Sequence, residues 1–336
     1  MRIDAWTHLL SPAYRRQIEG AGQGAPGPAA FLLANATLYD LDQRFEVMDR
    51  FGDYRQILTP IPGPHVYARG DGGREVADVV RRNNEEMAEI VRRHPDRFVG
   101  FAAATALHDP DLATEESVRA VRELGALGVQ LEEDPNGFPV HEDRYDPLFG
   151  AMESLDAGVW LHPFRTPATP GTPPESAPFL LWQVFTWVFD TTITISRLLF
   201  AGIYDRHPRL KLIAHHGGAM IPHFSGRIEL MPRAAGLDPK LNDALERLQK
   251  SPIEYFRMLY VDTAMFGSPH GVKCVVDFFG AERVLFGTDT PFDTSGGATF
   301  IPAATSDVES AVPDAGARAA IFEHNARRLL GVHAPA

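Results

Sequence analysis

The strongest constraint on this chain is a regular alternation of short apolar runs with helical patterns. Eight runs read as strands: Arg2 to Trp6, Gln56 to Pro60, Phe98 to Ala102, Gly128 to Glu132, Gly158 to His162, Lys211 to His215, Met258 to Asp262 and Val284 to Asp289. Strands joined by helical crossovers run parallel, and eight of them close a barrel. The pattern therefore predicts an α/β chain folded as one (β/α)₈ TIM barrel over residues 1–336.

The intervening segments carry the helical period. Residues 74–93 bring Val76, Val80, Met87, Ile90 and Val91 near one face and charge to the other. Residues 111–127 do the same with Val118, Val121, Leu124 and Leu127, and open on Asp109-Pro110-Asp111, a helix-start signal. Arg93-His94-Pro95 and Arg206-His207-Pro208 each precede a strand. Proline there stops the helix, so His94 and His207 belong to punctuation at the barrel's non-catalytic end. Residues 318–331 read as a terminal helix closed by Gly331, with Ile321, Phe322, Leu329 and Leu330 on the barrel.

Two stretches break the alternation, residues 20–35 after the first strand and 164–178 after the fifth, both rich in Gly or Pro. Long loops at the C-terminal ends of barrel strands build substrate pockets. The second runs into PFLLWQVFTWVF, residues 178–189, apolar all round and expected to form a buried helix. Trp182, Phe185 and Trp187 are its candidates for lining a cavity around an apolar ligand.

A formal charge of −12 argues against nucleic acid or an anionic membrane as partner. The single cysteine, Cys274, sits in an apolar helical pattern and allows no disulfide within one chain, which suits a reducing cytoplasm. The first residues lack the basic and apolar regions of a signal peptide, and no apolar run reaches the roughly 18 residues of a membrane span. A cytoplasmic protein, expected as a homodimer, follows. No strand-linked G-x-G-x-x-G is present, so no nucleotide cofactor is expected.

The strand ends carry the chemistry. The first ends in Trp6-Thr7-His8, the fourth in Glu132-Glu133-Asp134, the fifth in His162, the sixth in His215-His216 and the eighth in Asp289. One histidine at a strand end is more often an ordinary core or surface residue. Five strand ends bearing imidazole or carboxylate at one end of a barrel are a metal-site pattern, and a donor set without thiolate suits Zn, Mn or Fe. Asp262, at the seventh strand end, is placed to orient a ligand. Arg165 could meet a substrate carboxylate or a loop carboxylate. His65, His108, His141, His270, His324 and His333 have no supporting partners in sequence, and His223 stays open.

The segments IDAWTHLLSP, VWLHP, LIAHHGGAMIPHFSGRIE and LFGTDTPFD resemble the amidohydrolase superfamily, in its aminocarboxymuconate-semialdehyde decarboxylase-like branch, over almost the whole chain. The resemblance implies that His8, His162 and Asp289 are metal ligands and that His215 assists a metal-bound water or substrate. One residue departs from it. That branch begins with His-x-His or Glu-x-His, whereas the first of this pair is Trp6, whose indole nitrogen is only a donor.

Glu132, Glu133 and His216 are the candidate replacements. A site richer in ligands is similar to the TIM-barrel non-haem diiron monooxygenases of platensimycin and platencin biosynthesis. The reading expected first is therefore an oxygenase. Two Fe ions would be held by His8, Glu132, His162, His215, His216 and Asp289, with His215, Asp289 and Glu132 as catalytic groups. It would use O₂ and an external reductase on an apolar diterpenoid under Trp6 and the aromatic helix. The alternative is a decarboxylase or hydrolase with one Zn or Mn, in which His215 manages the proton and Asp289 is ligand and base partner.

Overall fold

The computed structural model describes residues 1–21, 28–61, 73–132, 139–165 and 174–332. Eight parallel strands stand in the order of the sequence: β1 (Arg2–Leu9), β2 (Tyr54–Pro60), β3 (Phe98–Ala103), β4 (Gly128–Glu132), β5 (Gly158–His162), β6 (Lys211–Ala214), β7 (Tyr260–Asp262) and β8 (Val284–Leu285). The TIM barrel expected from the alternation is the fold found. Ladders join each strand to the next, and a bridge between Thr7 and Thr290 brings β8 back to β1.

The helices lie where the periodicity places them. Helix Gly73–Arg93 covers the predicted 74–93 segment, and helix Pro110–Leu124 starts at an N-cap Asp109 whose side chain accepts the Asp111 and Leu112 N–H groups. Helix Asn325–Leu330 ends at Gly331 in a left-handed conformation, with Ile321, Leu329 and Leu330 buried. His94 and His207 both lie before their strands, His207 against Asp146 at 3.0 Å. Cys274 is half-buried on helix Pro269–Phe279.

Two cores hold the layers together. The larger one packs helices on the outer face of the barrel, from Leu58, Phe101, Val129 and Val159 to Leu148, Leu198 and Val272. The smaller fills the barrel with Ile3, Ala5, Trp6, Ile57, Ala102, Trp160, Ile213 and Leu285. Strict alternation would send Ile3 and Trp6 to opposite faces. The β1–β2 register shifts between Asp4 and Thr7, and this bulge turns both residues inward.

Two sequence expectations fail here. Residues 20–35 are not all loop, because helix Pro28–Ala34 occupies the end of that stretch. Residues 178–189 do not form a buried helix. They break into a 3₁₀ turn (Pro178–Leu180), a π turn (Trp182–Thr186) and the start of helix Trp187–Phe200. Phe179, Leu180, Val184, Phe185 and Phe189 are exposed. Hydrophobicity predicts burial only where another element covers the face, and none of the described elements covers this one.

Candidate metal centre

Four strand ends converge. His8 of β1, His162 of β5, His215 after β6 and Asp289 after β8 are all buried, and one ligand atom from each lies within 4.8 Å of the others. His8 Nε2 and His215 Nε2 stand 3.1 and 3.2 Å from the same oxygen, Asp289 Oδ1. All three atoms are buried with no aligned hydrogen-bond partner. Buried polar atoms are almost always satisfied, so donors crowded without a mutual hydrogen bond fit a cation held among them.

The outward-facing nitrogens of the three histidines are engaged elsewhere. Nδ1 of His8 lies 3.1 Å from the Pro60 carbonyl and 3.2 Å from Thr59 Oγ1, and Nδ1 of His162 faces the Pro163 carbonyl at 2.5 Å. Nδ1 of His215 bonds Asp262, whose other oxygen accepts the Gly217 and Ala264 N–H groups at 3.0 Å. Each arrangement fixes a ring with Nε2 turned to the centre, as metal-binding imidazoles require. Asp262 thus orients His215, as its place at the strand end suggested.

The electrostatics are divided among the rings. Burial, and then the neighbouring His8 and His215, hold the pKa of His162 well below its ordinary value, leaving a neutral ring with a lone pair. Burial also lowers His215, but the carboxylates of Asp262 and Asp289 overcome it and raise its pKa to about 9. Burial opposes ionisation of Asp289, yet the facing His215 outweighs it and keeps the carboxyl well below the usual range.

Local backbone geometry makes the convergence possible. Asp289 adopts φ +63°, and its N–H donates to the Trp6 carbonyl at 3.1 Å. Gly287 leaves space that a Cβ would lose, at 2.9 Å from Asp262 Cβ and 3.4 Å from Trp6 Cβ. His216 has φ +54°, and its ring lies against that of His215, centroids 3.8 Å apart, before the chain turns through Gly217 and Gly218.

The remaining candidates separate. Trp6 is fully buried and stacked on His215, with ring centroids 3.9 Å apart and planes 9° apart. His216 is buried beside the centre, Nε2 3.8 Å from Asp289 Oδ2, but is not one of the four converging residues. Glu132 ends β4 in register with His162 and is buried, yet it too stands outside that group. Its charge is felt at Tyr14, whose phenol burial and Glu132 push well above its ordinary pKa. Glu133, His65 and His333 lie outside the described residues.

Trp187 turns its ring edge to His162, centroids 6.1 Å apart, and donates its indole N–H to the Arg165 carbonyl; Trp182 packs edge-on against it at 5.5 Å. Phe185 is 63% exposed. The Arg165 guanidinium is gripped by Asp190 through two hydrogen bonds. His223, His270 and His324 are exposed, and His108 and His141 are half-buried outside the metal group.

Sequence reasoning missed three contributors: Phe292, whose ring lies 4.9 Å from His8, and the carbonyls of Pro60 and Pro163. Pro163 was signalled by adjacency to His162. Phe292 and Pro60 needed the fold.

The family model described as Amidohydrolase matches residues 3–332. The gamma-resorcylate decarboxylase of Rhizobium sp. (strain MTP-10005) is 32% identical over 295 residues, covering 86% of each chain. The 2-amino-3-carboxymuconate-6-semialdehyde decarboxylase of Dictyostelium discoideum is 27% identical over 311 residues, 87% of this chain and 82% of its own. Among solved structures, 2,6-dihydroxybenzoate decarboxylase complexed with 2,6-dihydroxybenzoate superposes with a TM-score of 0.80 at 28% identity, covering 98% of each chain.

These findings overturn the diiron monooxygenase expected first. The relatives are decarboxylases along most of their length. A second iron would need its own ligands, and Glu132 and His216 stand outside the one converging group found among the described residues. The expectations of two Fe ions, O₂, a reductase and a diterpenoid substrate fall with it.

Proposed function

The chain belongs to the amidohydrolase family, and from that premise we propose that it is a decarboxylase of an aromatic carboxylic acid, dependent on one divalent ion, Zn or Mn. The observation that carries this reading is the convergence of His8, His162, His215 and Asp289, all buried with one ligand atom each within 4.8 Å of the others, at the catalytic end of the barrel. Three relatives support the reaction class, since each is named for removing CO₂ from an unsaturated or aromatic acid.

His8, His162 and Asp289 would hold the ion. When bound, it supplies a Lewis acid and a template for a carboxylate and a neighbouring ring oxygen. The chain's own residues do the rest. Trp187, edge-on to His162, offers an apolar wall against which an aromatic ring packs. Burial of the centre excludes bulk water and strengthens every charge interaction inside it.

In decarboxylation the bond between the ring carbon and the carboxyl carbon breaks, its electron pair stays on the ring carbon, and a proton must replace the lost CO₂. His215 is placed to deliver it. Its Nδ1 is anchored on Asp262, which leaves Nε2 facing the centre to carry and release the proton. Asp289, 3.2 Å from that nitrogen, balances the charge before transfer.

The test is direct. The purified chain, freed of metal and reloaded with Mn(II) or Zn(II), is offered 2,6-dihydroxybenzoate and related hydroxybenzoates while CO₂ and the ring product are followed. Release of one CO₂ per product is expected, without consumption of O₂. A metal-loaded chain that decarboxylates none of them, or that hydrolyses esters or amides instead, would sink the reading.

A further inference from the structure

Behind the metal centre runs a chain of buried polar side chains that the proposed reaction does not use. Arg44, on helix Leu41–Met48, is 1% exposed. Its Nη1 donates to the carbonyl of His8 at 2.7 Å and its Nε to Gln56 Oε1 at 2.7 Å. Gln56 Nε2 donates to the Tyr54 hydroxyl at 3.1 Å, and Tyr54 donates to Asp4 Oδ2 at 2.5 Å. Asp4, fully buried, accepts the Trp6 and Thr288 N–H groups at 3.2 and 3.1 Å and the Thr288 hydroxyl at 2.6 Å.

The two ends of this chain matter. One grips the carbonyl of His8, the other grips Thr288, the residue before Asp289. These two residues meet at the seam that closes the barrel. β8 ends at Leu285, and beyond it the seam with β1 is held by the Thr7–Thr290 bridge and by the backbone bonds from Ala5 N–H to the Phe286 carbonyl at 2.8 Å, Asp289 N–H to the Trp6 carbonyl at 3.1 Å and His8 N–H to the Thr290 carbonyl at 2.7 Å. The bulge in β1 falls in the same place. These bonds hold His8 and Asp289 by their N–H groups, and the side-chain network adds a second hold, on the His8 carbonyl and on Thr288.

Bare stability is a poor explanation for the network. Arg44 has no carboxylate within 4 Å among the described residues, so its charge is buried on carbonyls and an amide. Buried ionic groups are often replaceable by apolar ones without loss of stability, and Arg44 Nη2 is buried with no hydrogen-bond partner among the described residues, so what the network supplies is one fixed arrangement rather than stability.

We propose that Asp4, Tyr54, Gln56 and Arg44 are positioning residues that set the spacing of His8 and Asp289 across the β8–β1 seam and thereby the affinity of the site for its metal. The proposal rests on the metal-site reading above. It is tested by titrating the metal-free full chain with Mn(II), following free Mn(II) and the electron paramagnetic resonance of the bound ion. Asp4→Ala, which removes four hydrogen bonds, is expected to raise the Kd by about 10- to 100-fold and to change the zero-field splitting. Asp4→Asn is expected to give a Kd between those of Asp4→Ala and wild type, because its carbonyl keeps both N–H bonds and the Thr288 hydroxyl can turn to Thr290 and accept from the amide, whereas the Tyr54 hydroxyl, already accepting from Gln56, loses its acceptor.

Tyr54→Phe removes a single hydroxyl from the middle of the chain and covers the case in which Asp4→Ala does not fold. It should weaken Mn(II) binding in the same direction. Kd values and spectra for Asp4→Ala and Tyr54→Phe within about twofold of wild type, with only the metal-free Tm lowered, would overturn the positioning role. A wild-type chain that takes up no Mn(II) would overturn the metal-site reading itself, and the proposal with it.

Discussion

At the scale of single residues, Trp6 is the position that distinguishes this centre. It stands two residues before His8 and gives the centre a flat apolar wall against His215. Trp6→Glu should add a donor beside the ion and tighten Mn(II) binding at least about tenfold, measured by titration of the metal-free chain. Unchanged affinity would place residue 6 out of reach of the metal. His215→Gln carries a different expectation. As the proton-handling group it should lose turnover by about 10²- to 10⁴-fold while one metal per chain is retained. Loss of the metal would instead make His215 a ligand.

At the scale of elements, the aromatic segment after β5 has two sides with different tasks. Trp187 faces His162, whereas Phe185 faces solvent. Trp187→Ala should raise KM for an aromatic acid by about tenfold with metal content intact, and Phe185→Ser should leave KM within about twofold. Equal effects of the two would deny the sidedness. The Asp109 cap is a stability element far from the chemistry. Asp109→Ala leaves the Asp111 and Leu112 N–H groups without their acceptor and should cost about 1 kcal/mol in denaturant unfolding with no change in metal affinity.

At the scale of the whole molecule, Asp4 links stability to pH. Burial is the largest cause raising its pKa from the ordinary 3.8 to about 7, against hydrogen bonds from Thr288, Tyr54 and Trp6 that lower it. The folded state therefore holds a proton that the unfolded chain releases near pH 4. Its contribution is full below the unfolded pKa and is lost as pH rises through about 7. Metal-free wild type should lose up to roughly 4 kcal/mol on this account between pH 4 and 8, and Asp4→Asn should not. Urea unfolding of both proteins across that range measures it, and parallel curves would show that Asp4 does not titrate there.

Much of this was legible in the chain because it is written locally. Short apolar runs, the 3.6-residue period, proline stops and the Asp109 cap give elements, and eight elements of one kind give a barrel. His8, His162, His215 and Asp289 could be read because barrel topology gathers strand ends into one place. Arg44 left a fainter trace, a charge on the same side of its helix as the buried Val47 and Met48.

The rest depended on non-local geometry. Hydrophobicity could not reveal which face of residues 178–189 is covered. Nor could adjacency tell His215 from His216, whose rings lie 3.8 Å apart, because only the fold sets their Nε2 atoms at 3.2 and 3.8 Å from the Asp289 carboxylate. The sequence by itself determined the barrel, the strand ends that carry imidazole and carboxylate, and the indole at position 6. Only the tertiary structure decided which donors share a point, because that follows from a bulge in β1 and from the backbone bonds that close β8 onto β1, contacts between residues far apart in the sequence that no local pattern encodes.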